Sequence, residues 1–221
     1  MRRIVGAAFV SLDGVIQGPG GPSEDPTGGF SLSGWLPPVG DEAIHDKIGE
    51  LFGRPFDLLL GRRTYDIFAA YWPYASDQMA DIRDPFNACT KYVVTHRDEP
   101  LAWENSQRVG TIEALREIKQ GDGADLVIQG SSTLYPQLLE AGLLDELTMM
   151  IVPLVLGQGK RLFGEGTPPR TLKMTGHHVS GGGNIVATYE PVGPVEIGSY
   201  VTEAPSEREE ARQAEMAEGS W

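Results

Sequence analysis

Five short segments, at 4–10, 56–60, 91–95, 125–129 and 146–156, have the composition of strands, and several are near-continuous apolar runs. Runs of that kind are buried on both faces, which is the signature of a parallel sheet under helices. Helical spacing lies between them, over 41–52, 64–70, 111–119 and 132–141. Thr111 can cap the third of these helices, and Gly121 and Gly142 stand where helices stop. Two further strands, 171–179 and 184–189, are separated by Ser-Gly-Gly-Gly and form a hairpin. The pattern predicts a three-layer α/β/α domain: a mixed, mainly parallel sheet ending in an antiparallel hairpin.

Composition limits what such a domain does. The net charge of −13 opposes non-specific binding to nucleic acid or to anionic lipid, so neither partner is expected. No apolar span is long enough for a membrane helix. The apolar run after Met1-Arg2-Arg3 ends at Asp13 without a cleavage site and reads as the first strand, and the lone Cys89 agrees with a reducing compartment; a cytoplasmic protein is expected. The domain is expected over 1–190. Residues 191–221 form an acidic extension, with a capping box at Ser206-Glu207-Arg208-Glu209 that makes it partly helical. Inside the domain, Gln17 to Gly34 is too rich in glycine and proline for a regular element and is a long loop of the kind often tied to function.

In an open parallel sheet, ligands sit at the carboxyl ends of the strands. The turns there are Gly61-Arg62-Arg63-Thr64, then Thr95-His96-Arg97, then Gln129-Gly130-Ser131-Ser132-Thr133. Glycine lets backbone approach a ligand, a helix start favours an anion, and arginine forks suit phosphate. Each turn alone is also an ordinary helix cap; their coincidence at one sheet edge points to a nucleotide with more than one phosphate. The G-x-G-x-x-G fingerprint and the P-loop are both absent, as is a G-x-S-x-G nucleophile turn. His177 and His178 alternate faces, and no set of residues has metal-ligand spacing, so no metal is expected.

The order Ser11-Leu12-Asp13-Gly14, long loop, Trp35, acidic residue, Gly61-Arg62-x-Thr64-Tyr65, Val93-Val94-Thr95, Gln129-Gly130-Ser131 and Pro153-Leu154-Val155-Leu156-Gly157-x-Gly159-x-x-Leu162-Phe163 resembles the dihydrofolate reductase-like superfamily. Within it, the chain is most similar to the reductase domain of the bifunctional riboflavin-biosynthesis deaminase/reductase and its stand-alone relatives, over about residues 2–190. The resemblance implies an NADPH-dependent oxidoreductase, similar to 5-amino-6-(5-phosphoribosylamino)uracil reductase, acting on a small heterocyclic or sugar-derived carbonyl or imine. It implies that Gly61, Arg62 and Thr64 touch cofactor phosphates with Arg63 near them. Thr95 and Arg97 would lie by the adenosine ribose and its extra phosphate. Gln129, Gly130, Ser131, Ser132 and Thr133 would hold the pyrophosphate, Ala7 and Ala8 would leave room for nicotinamide, and Leu154 and Gly157 would lie beyond it. A homodimer is plausible by the same likeness.

On the substrate side the resemblance offers Asp41 as the acidic residue, with Trp35 and Asp13 near the substrate. A carboxyl beside an apolar pocket with a raised pKa would donate a proton; alternatively it would grip an amine or amidine, or simply cap a helix. Trp35 lines the pocket or packs the core. Met150 replaces a polar folate contact of dihydrofolate reductases and the 17–34 loop is longer than theirs, which argues against dihydrofolate as substrate. A dihydrofolate or pterin reductase and a non-catalytic dinucleotide-binding regulatory module remain the alternatives.

Overall fold

The computed structural model describes residues 1–219, so the last two positions of the acidic extension lie outside it. Its single eight-stranded sheet has the order β4-β3-β2-β5-β1-β6-β8-β7. The strands are β1 (Ile4–Ser11), β2 (Phe56–Gly61), β3 (Lys91–Val94), β4 (Ser106–Val109), β5 (Asp125–Gln129), β6 (Glu146–Val152), β7 (Thr171–Val179) and β8 (Ile185–Gly193). The first six are mutually parallel, and β8 and β7 add antiparallel at one end, as the sequence predicts.

Helices α1 (Glu42–Phe52), α2 (Arg62–Tyr71) and α3 (Ala80–Ala88) belong to one side, and α4 (Ile112–Gln120) and α5 (Leu134–Glu140) to the other. The alternation of side chains along β1 shows why there are two cores. Val5 and Ala7 pack with Ile44, Leu51, Phe52 and Phe86, whereas Ile4, Ala8 and Val10 pack with Leu115, Leu134, Tyr135 and Leu138. Among the described residues no helix is long and apolar enough to cross a membrane.

Several elements differ from expectation, and β8 runs on to Gly193 rather than stopping at 189. Strand β6 stops at Val152 rather than at 156, because Pro153 cannot extend the ladder. Strand β4 was not expected, since Ser106-Gln107-Arg108-Val109 is polar and pairs only with β3. Helix α3 was hidden by Pro85 and two aspartates; only its Phe86 is buried, edge-on to Phe52 and Phe56 at 4.8 and 5.7 Å.

The register builds a step at the carboxyl edge. Ala7 lies opposite Gln129, the last residue of β5, and Gly61 lies opposite Val94, the last of β3. Strands β1 and β6 continue together as far as Ser11 and Val152. The ends of β2, β3 and β5 therefore form a ledge beside a wall made by the tips of β1 and β6.

Candidate functional site

Two turns meet on that ledge. Gly61 N donates to Ser131 Oγ at 3.0 Å, and Ser131 N donates to Thr64 Oγ1 at 3.2 Å, so the turn after β2 and the turn after β5 are bonded reciprocally. Gly130 and Ser131 both take left-handed backbone, at φ 69° and 53°. For Ser131 this conformation costs about 1–2 kcal/mol, which the two bonds to the other turn offset. A Cβ on Gly61 or Gly130 would make only ordinary contacts, 3.6 Å from Thr133 Oγ1 and from Thr64, so it is the left-handed backbone at Gly130 that calls for glycine. Helix α2 starts at Gly61 without a side-chain cap, leaving its first-turn amides directed at the ledge. Gln129 Oε1 is buried beside it with no partner among the described residues.

The arginines divide. Arg62 is held to Asp66 at 2.8 Å and to the Glu99 carbonyl at 3.1 Å. The side chains of Arg63 and Arg97 are exposed and have no hydrogen-bond or ionic partner among the described residues. Thr95 is buried, and its hydroxyl accepts from the Arg97 amide at 3.1 Å, which fixes the turn that carries Arg97. Ser132 is half-buried and Thr133 exposed at the start of α5. Ala7 and Ala8 are both buried but on opposite faces, so only Ala7 shares the α1 side with Gln129; its carbonyl accepts from Gly130 N at 3.4 Å.

Asp13 is engaged within the chain. Its carboxylate accepts from the Ser11 hydroxyl at 2.7 Å, the Leu156 amide at 3.0 Å and the Gly157 amide at 2.8 Å. These bonds, the Ser11 hydroxyl first, hold its pKa at about 2. Leu154 joins the same clasp by accepting from Leu12 N at 2.8 Å. Asp13 thus ties the segment after β6 across the tip of β1.

The long loop is a packed structure. Trp35 is buried with Val15 and Phe30, and its indole donates to Gln17 O at 2.8 Å, so it packs rather than lines an opening. Lys160, on the segment after β6, bonds Asp25 Oδ2 at 2.6 Å and Thr27 Oγ1 at 2.5 Å. Its backbone amide donates to Gln17 Oε1 at 2.9 Å. The long loop and the segment after β6 therefore form one unit; nothing in the composition of either signals that pairing.

Asp41 stands on the far side of β1, away from the ledge. It is the N-cap of α1, accepting from Ile44 N at 3.4 Å. The Ser180 hydroxyl, then the Asn184 side chain and the Ile44 and Ala43 amides, lower its pKa. Of the alternatives for Asp41, the proton donor needs a raised pKa; here the carboxyl is solvated and surrounded by donors, and it is ionised at neutral pH. Asn184 is buried, donates to Val39 O at 2.8 Å, and leaves its own Oδ1 without a partner among the described residues. The hairpin turn lies close to Pro153: a Cβ added at Gly183 would come within 3.8 Å of that ring. Asp41, Asn184 and Pro153 thus gather at the wall while the two bonded turns gather at the ledge.

This architecture has known counterparts. The RibD C-terminal domain model matches residues 2–186. The Bacillus subtilis (strain 168) protein YyaP is 25% identical over 194 residues, covering 85% of this chain and 94% of YyaP. A protein of Shewanella sp. PV-4 assigned to riboflavin biosynthesis superposes with a TM-score of 0.64 at 20% identity, over 86% of this chain and 99% of that one. Enterococcus faecalis dihydrofolate reductase, solved with NADP(H) and RAB-propyl, superposes with a TM-score of 0.53 at 16% identity, over 86% and 96% of the two chains. The sheet order, the terminal hairpin and the match across the whole domain lead to one conclusion: the chain belongs to the RibD C-terminal domain family.

Proposed function

We propose that the protein is an NADPH-dependent reductase of a small heterocyclic or sugar-derived carbonyl or imine compound. The observation that carries this reading is the reciprocal bonding of the Gly61–Thr64 and Gly130–Thr133 turns, with two unpartnered arginines beside them. Such a clamp offers free amides, hydroxyls and two guanidinium forks at one edge, a donor set suited to a pyrophosphate and one further phosphate. Relatives bear on the same point, since the E. faecalis enzyme was solved with NADP(H).

The residues present fit the cofactor. Gly61, Thr64 and Gly130 to Thr133 would hold its pyrophosphate, Arg63 and Arg97 its remaining phosphate, and Gln129 Oε1 is a buried acceptor in want of a donor. Arg62, being engaged by Asp66 and Glu99, braces the turn rather than reaching for phosphate. When bound, the nicotinamide supplies a hydride, and the protein's task is to set an electrophilic carbon beside it. Ionised Asp41 accepts hydrogen bonds, so its role is to grip N–H groups of the substrate rather than to donate the proton.

A fluorescence titration with NADPH and NADH at one salt concentration tests this. NADPH should bind tighter than NADH. Arg63→Ala and Arg97→Ala should each weaken NADPH by about tenfold or more while changing NADH less, as expected for loss of a charge-assisted phosphate contact. Failure of the folded protein to bind either nucleotide would reduce the turns to helix caps and remove the reductase reading.

A further inference from the structure

Positive charge is divided across the carboxyl edge of the sheet. Arg63 and Arg97, exposed and without a partner among the described residues, both stand on the ledge. The wall is built by the 12–41 segment, α1, the 153–163 segment and the 180–184 hairpin turn. Of the eighteen lysines and arginines these hold Lys47, Lys160 and Arg161 alone. Each is already engaged. Lys160 is bonded to Asp25 and Thr27, Arg161 donates to the Asp13 carbonyl and lies 4.0 Å from its carboxylate, and Lys47 is paired with Glu50 at 3.0 Å.

The first turn of α1 would be the other receptor for an anion on this side, because its amides and dipole favour negative charge. It is filled from within the chain: the Asp41 carboxylate accepts from the Ile44 and Ala43 amides. What the wall offers instead is acceptors. Asp41 is ionised, Glu42 beside it is exposed, and the buried Asn184 Oδ1 has no donor among the described residues. Carboxylate and amide oxygens accept and cannot donate, so they select an edge of N–H groups.

We propose that the substrate held at the wall is an amino-substituted nitrogen heterocycle that carries no phosphate, either free or joined to an unphosphorylated sugar. This rests on the reductase reading above and narrows it. A phosphate brought to the wall would meet Asp41 and Glu42 with no free lysine or arginine to balance it, so the site rejects the anion as well as accepting the donors. The phosphoribosyl compound implied by the sequence resemblance is then the poorer ligand.

Calorimetric titration of the full chain saturated with NADP+ tests this, using 5-amino-6-(ribosylamino)uracil and its 5′-phosphate as probes. The cofactor occupies the ledge, so the phosphate of the probe cannot borrow Arg63 or Arg97. The exposed His45 and His178 are the remaining basic side chains beside the wall, and at pH 8 imidazoles carry little charge. At about 20 mM salt the unphosphorylated probe should bind about tenfold tighter or more. At about 500 mM, where the screening length is roughly 4 Å, the gap should shrink to about threefold. Gly181→Arg supplies a cation: a Cβ there meets nothing within 4 Å, and one on the adjacent Gly182 would lie 3.1 Å from Asp41 Oδ2. That variant should narrow the low-salt gap by about fivefold and leave NADP+ binding unchanged. Equal or tighter binding of the phosphate by wild type overturns the proposal, and so does binding of neither probe. A gap indifferent to salt and to Gly181→Arg overturns it as well, since exclusion would then be steric. Loss of NADP+ binding itself would remove the reductase reading and this inference together, whereas a preference for phosphate in the cofactor-loaded protein removes this inference alone.

Discussion

Replacing Asp13 separates a structural clasp from a substrate contact. Three donors meet its carboxylate, and Arg161 stands 4.0 Å away. A hydrogen bond to a charged acceptor is worth about 1.5–3 kcal/mol net, but the freed donors lie near the surface and regain water. The loss for Asp13→Ala should therefore be about 2–3 kcal/mol rather than the full sum, and about 1–2 kcal/mol for Asp13→Asn. Urea denaturation should show a lower midpoint with an unchanged slope. The pH dependence follows from the depressed folded pKa of about 2 against an ordinary 3.8. The contribution of such a group is complete above the ordinary value and is lost as the pH falls from there through the folded one. The gap between wild type and Asp13→Ala should thus be full at pH 6 and close on acidification toward pH 2. A variant as stable as wild type at pH 6 that no longer turns over substrate would refute the clasp and make Asp13 a ligand contact.

Lys160→Met should destabilise by about 1–3 kcal/mol, because Asp25 is left buried without its cation. Lys160 now holds Asp25 below the ordinary carboxylate range, so wild type keeps this stability above that range and loses it on acidification. In the variant the two Thr27 bonds still oppose burial, so the loss of stability on acidification should shrink, a flattening visible in thermal melts at pH 4 and 7. Asp41→Asn should leave the melting temperature within about 2 °C, since asparagine caps a helix about as well, yet lower turnover by about 100-fold in an NADPH-oxidation assay. Unchanged turnover in that variant would confine Asp41 to capping.

The sheet was legible because its strands are short apolar segments separated by helical spacing, and the hairpin because three glycines interrupt a strand pattern. What escaped was polar or proline-bearing: β4 has one buried residue, and α3 contains Pro85. The ledge was legible in outline, since Gly61, Thr64, Gly130 and Ser131 do converge. The difference between Arg62 and Arg63 was not, because it depends on Asp66 one helical turn on and on Glu99 in a distant loop. The choice among the readings of Asp41 was not legible for the same reason. Its donors Ser180 and Asn184 come from a hairpin some 140 positions away, and only tertiary structure turns a helix cap into a carboxylate held ionised.

The division of the site by β1 bears on what can react there. The bonded turns stand at the ends of β2 and β5 on one side, and Asp41 with Asn184 at the end of β6 on the other. Ala7 lies between them, its carbonyl already bonded to Gly130 and its methyl too small to obstruct a ring. A cofactor seated on the ledge and a substrate gripped by Asp41 would therefore meet over β1, each fixed from its own side. In that arrangement the clasp at Asp13 and the staple at Lys160 set the height of the wall. Loosening either should raise KM for the substrate while leaving NADPH affinity nearly unchanged, because neither residue touches the turns that form the clamp.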